Sequence, residues 1–258
     1  MITVDFEKLS LGPGQKVLDL GCGEGRHATN IFLHADVVSV GIDMSQRDVT
    51  SARDKAQPFV DAADQERGGE GVLAFGVGDA LCLPFAADTF DVVVCSEVLE
   101  HIPDYESALR EIDRVLKPGG VFVASVPTFF PEWVCWKLSS AYHQVEGGHV
   151  RIFRERGLRG DIEALGHRYF ARHKAHALHS PYWWLRCLLW DSQDSSRLVR
   201  WYHKLLVWDL MQKPALTRWL EKLLNPILGK SIVLYFVKPE SPEVSSTPPA
   251  DDPVGLPA

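Results

Sequence analysis

The stretch VLDLGCGEGRHA, residues 17–28, decides the fold. It begins as a short apolar run, takes an aspartate at position 19, and then carries glycine at 21, 23 and 25. An apolar run closed by glycine reads as a buried strand, and residues from about 25 to 34 read as the helix behind it. A strand, a glycine-rich turn and a helix start make a nucleotide site. Glycine lets the backbone approach a ligand, and the helix N-terminus offers unpaired N–H groups. The dinucleotide fingerprint G-x-G-x-x-G is not met, because Arg26 stands where its third glycine belongs. The pattern is D-x-G-x-G-x-G, with Asp19 ahead of the glycines and Glu24 inside the turn. Those acids would repel a pyrophosphate. They suit a ligand that carries an ammonium and a sulfonium but no phosphate, a description that S-adenosylmethionine meets. Gly21, Cys22, Gly23 and Arg26 are therefore candidate cofactor contacts, and a nicotinamide cofactor is disfavoured.

Outward from the turn, strands and helices alternate. Residues 37–45, VVSVGIDMS, form a second apolar strand, followed by a polar helix over 46–66, a turn at 68–71 and a third strand over 72–79. FDVVVCSEV at 90–98 is a fourth strand, residues 105–120 a helix with a Pro-Gly-Gly stop, and VFVASVP at 121–127 a fifth strand. This alternation implies an α/β fold with a doubly wound, mostly parallel sheet. Asp43 ends the second strand, 20 residues after Gly23, where an acid can accept both ribose hydroxyls. Asp79 ends the third strand, where its carboxylate can take an adenine amino group while the Ala80 N–H reaches a ring nitrogen. A lone strand-end aspartate is as readily a helix cap or a solvated turn. Acids at the ends of three successive strands, beside the glycine turn, are not accounted for that way.

Four segments resemble class I S-adenosylmethionine-dependent methyltransferases, and are most similar to the ubiquinone/menaquinone C-methyltransferase-like group. They are VLDLGCGEGRHA, VGIDMS, GDALCLPFAADTFDVVVCSEVLEHIPD and ALREIDRVLKPGGVFVASVP, and they cover residues 16–127 almost without gaps. The resemblance implies a Rossmann-like seven-stranded sheet whose last strand is antiparallel, a role that SIVLYFVK at 231–238 would fill. It implies that Gly21 and Gly23 carry the methionine part with Asp19 supporting its amino group, and that Asp43 binds ribose. It also implies that Met44 packs on adenine, that Asp79 and Ala80 hold the base, and that Ser96 and Glu97 lie at the methionine end. Many relatives cover the cofactor with N-terminal helices. About 15 residues precede the first strand here, so the cover is expected from the second half or from a partner subunit.

That second half differs in composition. Residues 1–129 hold 10 Lys/Arg against 21 Asp/Glu, whereas residues 130–238 hold 17 against 9 and contain all 8 tryptophans. Residues 128–149 read as an aromatic connection that forms an active-site loop, 154–167 as a helix and 169–178 as a strand. Residues 180–229 read as a helical, Trp-rich insertion, and 239–258 as a disordered tail after a single domain over 1–238.

Methyl transfer is an in-line displacement that needs alignment, exclusion of water and, for an oxygen or acidic carbon acceptor, a base. Candidate catalytic residues are His101 in LEHIPD, and His143 and His149 in AYHQVEGGHVRIF. His101 reads equally as a histidine that orders its loop. His149 follows two glycines on a loop able to fold over the site, and related enzymes often carry an H-x-R segment here, which Val150 and Arg151 continue. In the insertion, Leu198, Trp201, Leu205 and Trp208 share one helical face, and Arg197, Arg200 and Lys204 another. Either the apolar face packs on the core as a cap, or it forms a lid over an apolar substrate with a basic surface against an anionic membrane, centred on 183–211.

The expected function is methyl transfer to the O or C atom of a small apolar acceptor: a lipid, isoprenoid, quinone-like or polyketide-type molecule. A polar metabolite or sugar acceptor is the first alternative, and a non-catalytic S-adenosylmethionine-binding partner subunit the second. No basic groove or binding module suggests nucleic acid, and a homo-oligomer is a candidate assembly. The five cysteines stand apart in sequence without zinc-ligand spacing, so no structural metal is expected and a reducing cytoplasm is. The N-terminus has no signal-peptide pattern, and no apolar run is long enough for a transmembrane helix.

Overall fold

A computed structural model of the chain describes residues 2–67, 71–145, 147–212 and 214–240. The turn expected at 68–71 falls largely outside the described residues, and the expected tail does so from 241 onward. The first half runs β1 (Lys16–Leu20), α1 (Arg26–His34), β2 (Val38–Asp43), α2 (Gln46–Arg67), β3 (Val72–Val77), β4 (Phe90–Ser96), α3 (Tyr105–Val115) and β5 (Leu116–Pro127). The second runs α4 (Phe129–Leu138), α5 (Ser140–Gln144), α6 (Glu155–Ala164), β6 (Arg168–Ala175), α7 (His179–Leu188), α8 (Arg197–Gln212), α9 (Ala215–Leu228) and β7 (Ser231–Val237).

These strands form one seven-stranded sheet in the order β3-β2-β1-β4-β5-β7-β6. β1 pairs parallel with both β2 and β4, and β7 runs antiparallel to both β5 and β6. The expected seven-stranded architecture with an antiparallel last strand is therefore present. Side chains alternate across the pleat. Val92, Val94, Val123 and Val233 face one core, while Leu18, Val93, Ala124 and Leu234 face another that α3 covers with Leu109 and Ile112. Burial on both faces explains why these strands read as continuous apolar runs. Strand order reverses at β1 and β4, which opens a crevice at their carboxyl ends, the usual ligand position in such sheets.

Several boundaries differ from the sequence expectation. α3 starts on Asp104, whose carboxylate accepts from the Ser107 N–H at 3.1 Å, but it ends at Val115 rather than 120. Lys117 precedes a proline and disfavours helix, so the chain is already extended at Leu116 and enters β5 through an irregular register opposite β4. Lys238 Nζ donates to the Asp113 and Leu116 carbonyls at 2.6 and 2.9 Å, neutralising the helix C-terminus. The aromatic connection at 128–149 contains two helices, α4 and α5. β6 stops at Ala175, because His176 takes φ 65° and breaks the extended run. The cysteines do not all stand apart in space: the buried Cys135 on α4 and Cys187 on α7 lie close enough to shift each other's thiols.

The packing face expected for the insertion's helix is corrected. α8 buries Val199 and Leu206 against α7, with Tyr202 partly covered beside them. The expected packing face instead points outward, with Leu198 53 %, Trp201 61 % and Trp208 48 % exposed. Apolar residues surround this helix almost completely, so spacing alone could not select the buried side.

Candidate cofactor and acceptor site

The glycine turn lies at the carboxyl end of β1, and its conformation explains its composition. Gly21 takes φ 69°, and a Cβ there would come 2.2 Å from Val98 Cγ2. Gly23 takes φ 50° and fronts open space, so no protein atom fills the volume ahead of it. Both conformations belong to glycine. The Gly21 and Cys22 N–H groups donate to the Ile42 carbonyl at 2.7 and 3.0 Å, tying the turn to β2.

A cavity of about 460 Å³ opens beside this turn. Gly21, Asp43, Met44, Asp79, Ala80 and Glu97 line it, together with His101 and apolar residues such as Leu20, Ile42 and Val98. Its acids are Asp43, Asp79 and Glu97, and no Lys or Arg is among the lining residues. Asp43 accepts the Gly23 N–H on Oδ2 and the Ser45 N–H on Oδ1, each at 2.8 Å. Each oxygen keeps a further lone pair, so the carboxylate is fixed in place and still able to receive two hydroxyl donors. Asp79 Oδ1 accepts the Leu81 N–H at 2.9 Å, which leaves Oδ2 for a ligand donor. The open space before Gly23 and the all-acidic charge of the cavity fit a cationic nucleoside ligand, and do not fit a pyrophosphate.

Other sequence candidates are not among the residues that line it. Asp19 is 1 % exposed and accepts the Ala28 N–H at 2.9 Å, capping α1 from beneath the turn. Burial, aided by the nearby Asp43 charge, pushes its carboxyl up to about 7 against the Ala28 bond. Cys22 is buried, and burial raises its thiol. Arg26 is exposed at the start of α1. The Ser96 hydroxyl is buried with no hydrogen-bond partner among the described residues, and Glu97 Oε1 accepts from the Ser125 hydroxyl at 2.7 Å. Asp19, Cys22, Gly23, Arg26 and Ser96 do not line the cavity.

A second cavity, of about 260 Å³, shares His101 with the first. Tyr142, Trp183 and Trp190 give it aromatic walls, and His149, Arg186 and Lys230 also line it. The His101 and His149 rings meet edge to face, 4.8 Å between centroids. His149 Nδ1 lies 2.6 Å from Glu132 Oε1. The carboxylate can only accept there, so Nδ1 carries a hydrogen, and Nε2 is a lone pair whenever the ring is neutral. Glu132 is 2 % exposed and also accepts from Trp136 Nε1 and the Tyr142 hydroxyl. Burial would raise its carboxyl, but the His149 bond and charge outweigh that and hold it low. Burial and the charge of His149 lower the His101 imidazole. His143 faces neither cavity; it stacks on Trp136 at 4.2 Å.

Beside these histidines Glu100 is 1 % exposed, and neither carboxylate oxygen has a hydrogen-bond partner among the described residues. Burial, then the charge of Glu97, push it well above the usual carboxylate range. Sequence reading passed over Glu100, Glu132, Arg186 and Lys230. Glu100 stood inside the quoted LEHIPD stretch, but nothing in the order of residues joins Glu132 on α4 to His149, 17 residues on.

A family model described as a methyltransferase domain matches residues 11–158. The chain belongs to this family, the class I S-adenosylmethionine-dependent methyltransferases. It is 38% identical over 112 residues to the 27-O-demethylrifamycin SV methyltransferase of Amycolatopsis mediterranei, covering 43% of this chain and 38% of that one. It is 40% identical over 112 residues to the 2-phytyl-1,4-naphtoquinone methyltransferase of Synechococcus elongatus, covering 42% and 43%. These matches thus span about two fifths of either relative. Among solved structures, the YcgJ protein from Bacillus subtilis superposes with a TM-score of 0.57 at 22% identity, covering 92% of this chain and 97% of that one. That likeness shows the fold.

Proposed function

We propose that this chain transfers a methyl group from S-adenosylmethionine to an oxygen or acidic carbon of a small apolar acceptor, of the lipid, isoprenoid, quinone-like or polyketide class. The observation that carries the reading is the meeting of two unlike cavities at His101: one acidic and free of lining cations, the other walled by Tyr142, Trp183 and Trp190. Acceptors of the two curated relatives, a rifamycin and a naphthoquinone by their names, support an apolar ring system.

The cofactor supplies an electrophilic methyl carbon on a sulfonium. Asp43 and Asp79 bind the nucleoside part through its hydroxyl and amino donors, with Met44 against the base. The turn at Gly21 and Gly23, with Asp19 beneath it, holds the methionine part, and Glu97 faces that end of the cavity. The aromatic walls orient the acceptor and exclude water. His149, held by Glu132 at Nδ1 and lining the second cavity beside His101, lowers the cost of removing the acceptor's proton through Nε2.

The exposed apolar face of α8 and α9 supports a peripheral contact with a membrane as the source of the acceptor. Trp201, Trp208 and Trp219 are exposed there, beside Arg197, Arg200, Lys204, Arg218 and Lys222. No helix of the described residues is long and apolar enough to cross a membrane.

The test is calorimetric titration of the chain with S-adenosylmethionine and with NADH, followed by transfer of labelled methyl groups into a panel of quinones, prenyl lipids and polyketides. Binding of the first ligand alone and label in an apolar product are expected. NADH binding, or label entering only sugars and polar metabolites, would overturn the reading.

A further inference from the structure

Glu100, His101 and His149 each offer one ligand atom, and the three atoms lie within 4.8 Å of one another. Glu100 Oε1 is 4.0 Å from His101 Nε2. Three features distinguish this group from ordinary surface polarity. Glu100 is a buried carboxyl with both oxygens unpartnered, a rare and costly arrangement. Lys230, whose charge acts on Glu100, makes no ion pair with it among the described residues and sits over the Trp183 ring at 5.4 Å. The histidines are also oriented from behind: Glu132 holds His149 Nδ1 at 2.6 Å, and the Gly148 carbonyl lies 3.4 Å from His101 Nδ1. A carboxylate or carbonyl on one ring nitrogen, with the other nitrogen turned inward, is how metal-bound histidines are held.

We propose that Glu100, His101 and His149 bind a divalent first-row transition cation at the boundary between the two cavities. Two imidazoles and one carboxylate suit Mn²⁺, Fe²⁺, Co²⁺ or Zn²⁺ better than Mg²⁺, which prefers oxygen ligands. Three protein ligands leave coordination positions open toward the second cavity, where an acceptor hydroxyl, enolate or catecholate oxygen can bind. A coordinated hydroxyl is a stronger acid. This deepens the acceptor-site reading above: the His149 lone pair assigned there to proton removal becomes a ligand, and the cation does the acidifying.

The probe is CoCl₂, titrated into the metal-stripped full-length chain and followed by its visible d–d absorption, without cofactor or acceptor. One saturable site is expected, displaced by ZnCl₂ and not by equimolar MgCl₂. Glu100→Gln and His149→Ala should each weaken it roughly tenfold or more, and Glu132→Gln, which touches no cation, about 10- to 100-fold. A second group, His176, His179 and Glu221, also has ligand spacing, so His179→Ala serves as the control and should change nothing. S-adenosylmethionine affinity, measured calorimetrically on each variant, confirms that the domain is folded. Absence of saturable Co²⁺ binding, or binding unchanged by Glu100→Gln and His149→Ala but lost in His179→Ala, overturns the metal site. Methyl transfer that persists in chelator then leaves His149 as the base, so the two readings fail separately.

Discussion

Asp19→Asn isolates the cost of keeping a charge beneath the glycine turn. The wild-type carboxyl is wholly buried and is pushed from its ordinary 3.8 up to about 7 by burial, reinforced by Asp43. The folded state therefore holds a proton on Asp19 between about pH 4 and 7, where the unfolded chain does not. An acid with a raised folded pKa contributes stability below its unfolded value, and that contribution is lost as pH rises through the folded value. From pH 5 to pH 8 the loss spans about two units, or roughly 2–3 kcal/mol. Asparagine is uncharged at both pH values, and its side-chain oxygen can still accept the Ala28 N–H that Asp19 accepts at 2.9 Å. Urea unfolding of both proteins at the two pH values yields a difference of differences in which every other titration cancels. The variant should gain roughly 2–3 kcal/mol on the wild type between pH 5 and pH 8, while binding S-adenosylmethionine about tenfold or more weakly, a stability–function trade-off. A stability gap that does not move with pH would refute the account of Asp19 as a buried, ligand-balanced charge.

Asp43→Ala removes the acceptor of the partly buried Gly23 and Ser45 N–H groups; S-adenosylmethionine affinity by calorimetry should fall about 100-fold, since the ribose hydroxyls also lose their charged acceptor. Gly21→Ala forces a Cβ to 2.2 Å from Val98 at φ 69°; thermal unfolding should show a loss of roughly 2–4 kcal/mol. Adding Val98→Ala should recover only the steric part. Glu132→Gln should cut methyl-transfer kcat about 10- to 100-fold with cofactor affinity unchanged, whereas a role confined to packing would move stability and not kcat. Co-sedimentation with anionic vesicles should be seen for the wild type and lost in an Arg197/Arg200/Lys204→Gln triple variant. Retention of the wild type in the supernatant would remove the membrane contact.

The first half of the molecule was legible because each of its features is local. Strands buried on both faces appear as unbroken apolar runs, and a turn that requires positive φ appears as glycine. Acids at strand ends fall where the sheet delivers them, which is why Asp43, Asp79 and Glu97 meet in one cavity. The second half resisted because its order is tertiary. α4, FFPEWVCWKL, has apolar or aromatic residues on all sides and so no periodicity from which to read a helix. It is held in place by a partner 53 residues away, where Trp184 Nε1 donates to the Pro131 carbonyl at 3.0 Å. The buried Glu132 and its bond to His149 follow from that docking. The outward face of α8 shows the same limit, since periodicity finds faces but not which one meets the core.

Charge asymmetry acquires a role once the cavities are located. The acidic first half builds a cavity whose lining acids have no lining Lys or Arg, a field that would favour a sulfonium ligand over an anionic acceptor. The basic second half places Arg186 and Lys230 in the neighbouring cavity, both over the Trp183 ring at 5.0 and 5.4 Å. Stacked on an aromatic face, these cations keep their charge while covering apolar surface, so the second cavity can be apolar in shape and positive in field. An apolar acceptor bearing an enol, phenol or acidic CH would be drawn to that field most strongly in its deprotonated form, the form that reacts. On the proposed function, the two fields would sort two ligands of opposite charge onto either side of His101. A chain with uniform charge could hold the same groups at the same distances without keeping the donor and acceptor from occupying each other's place.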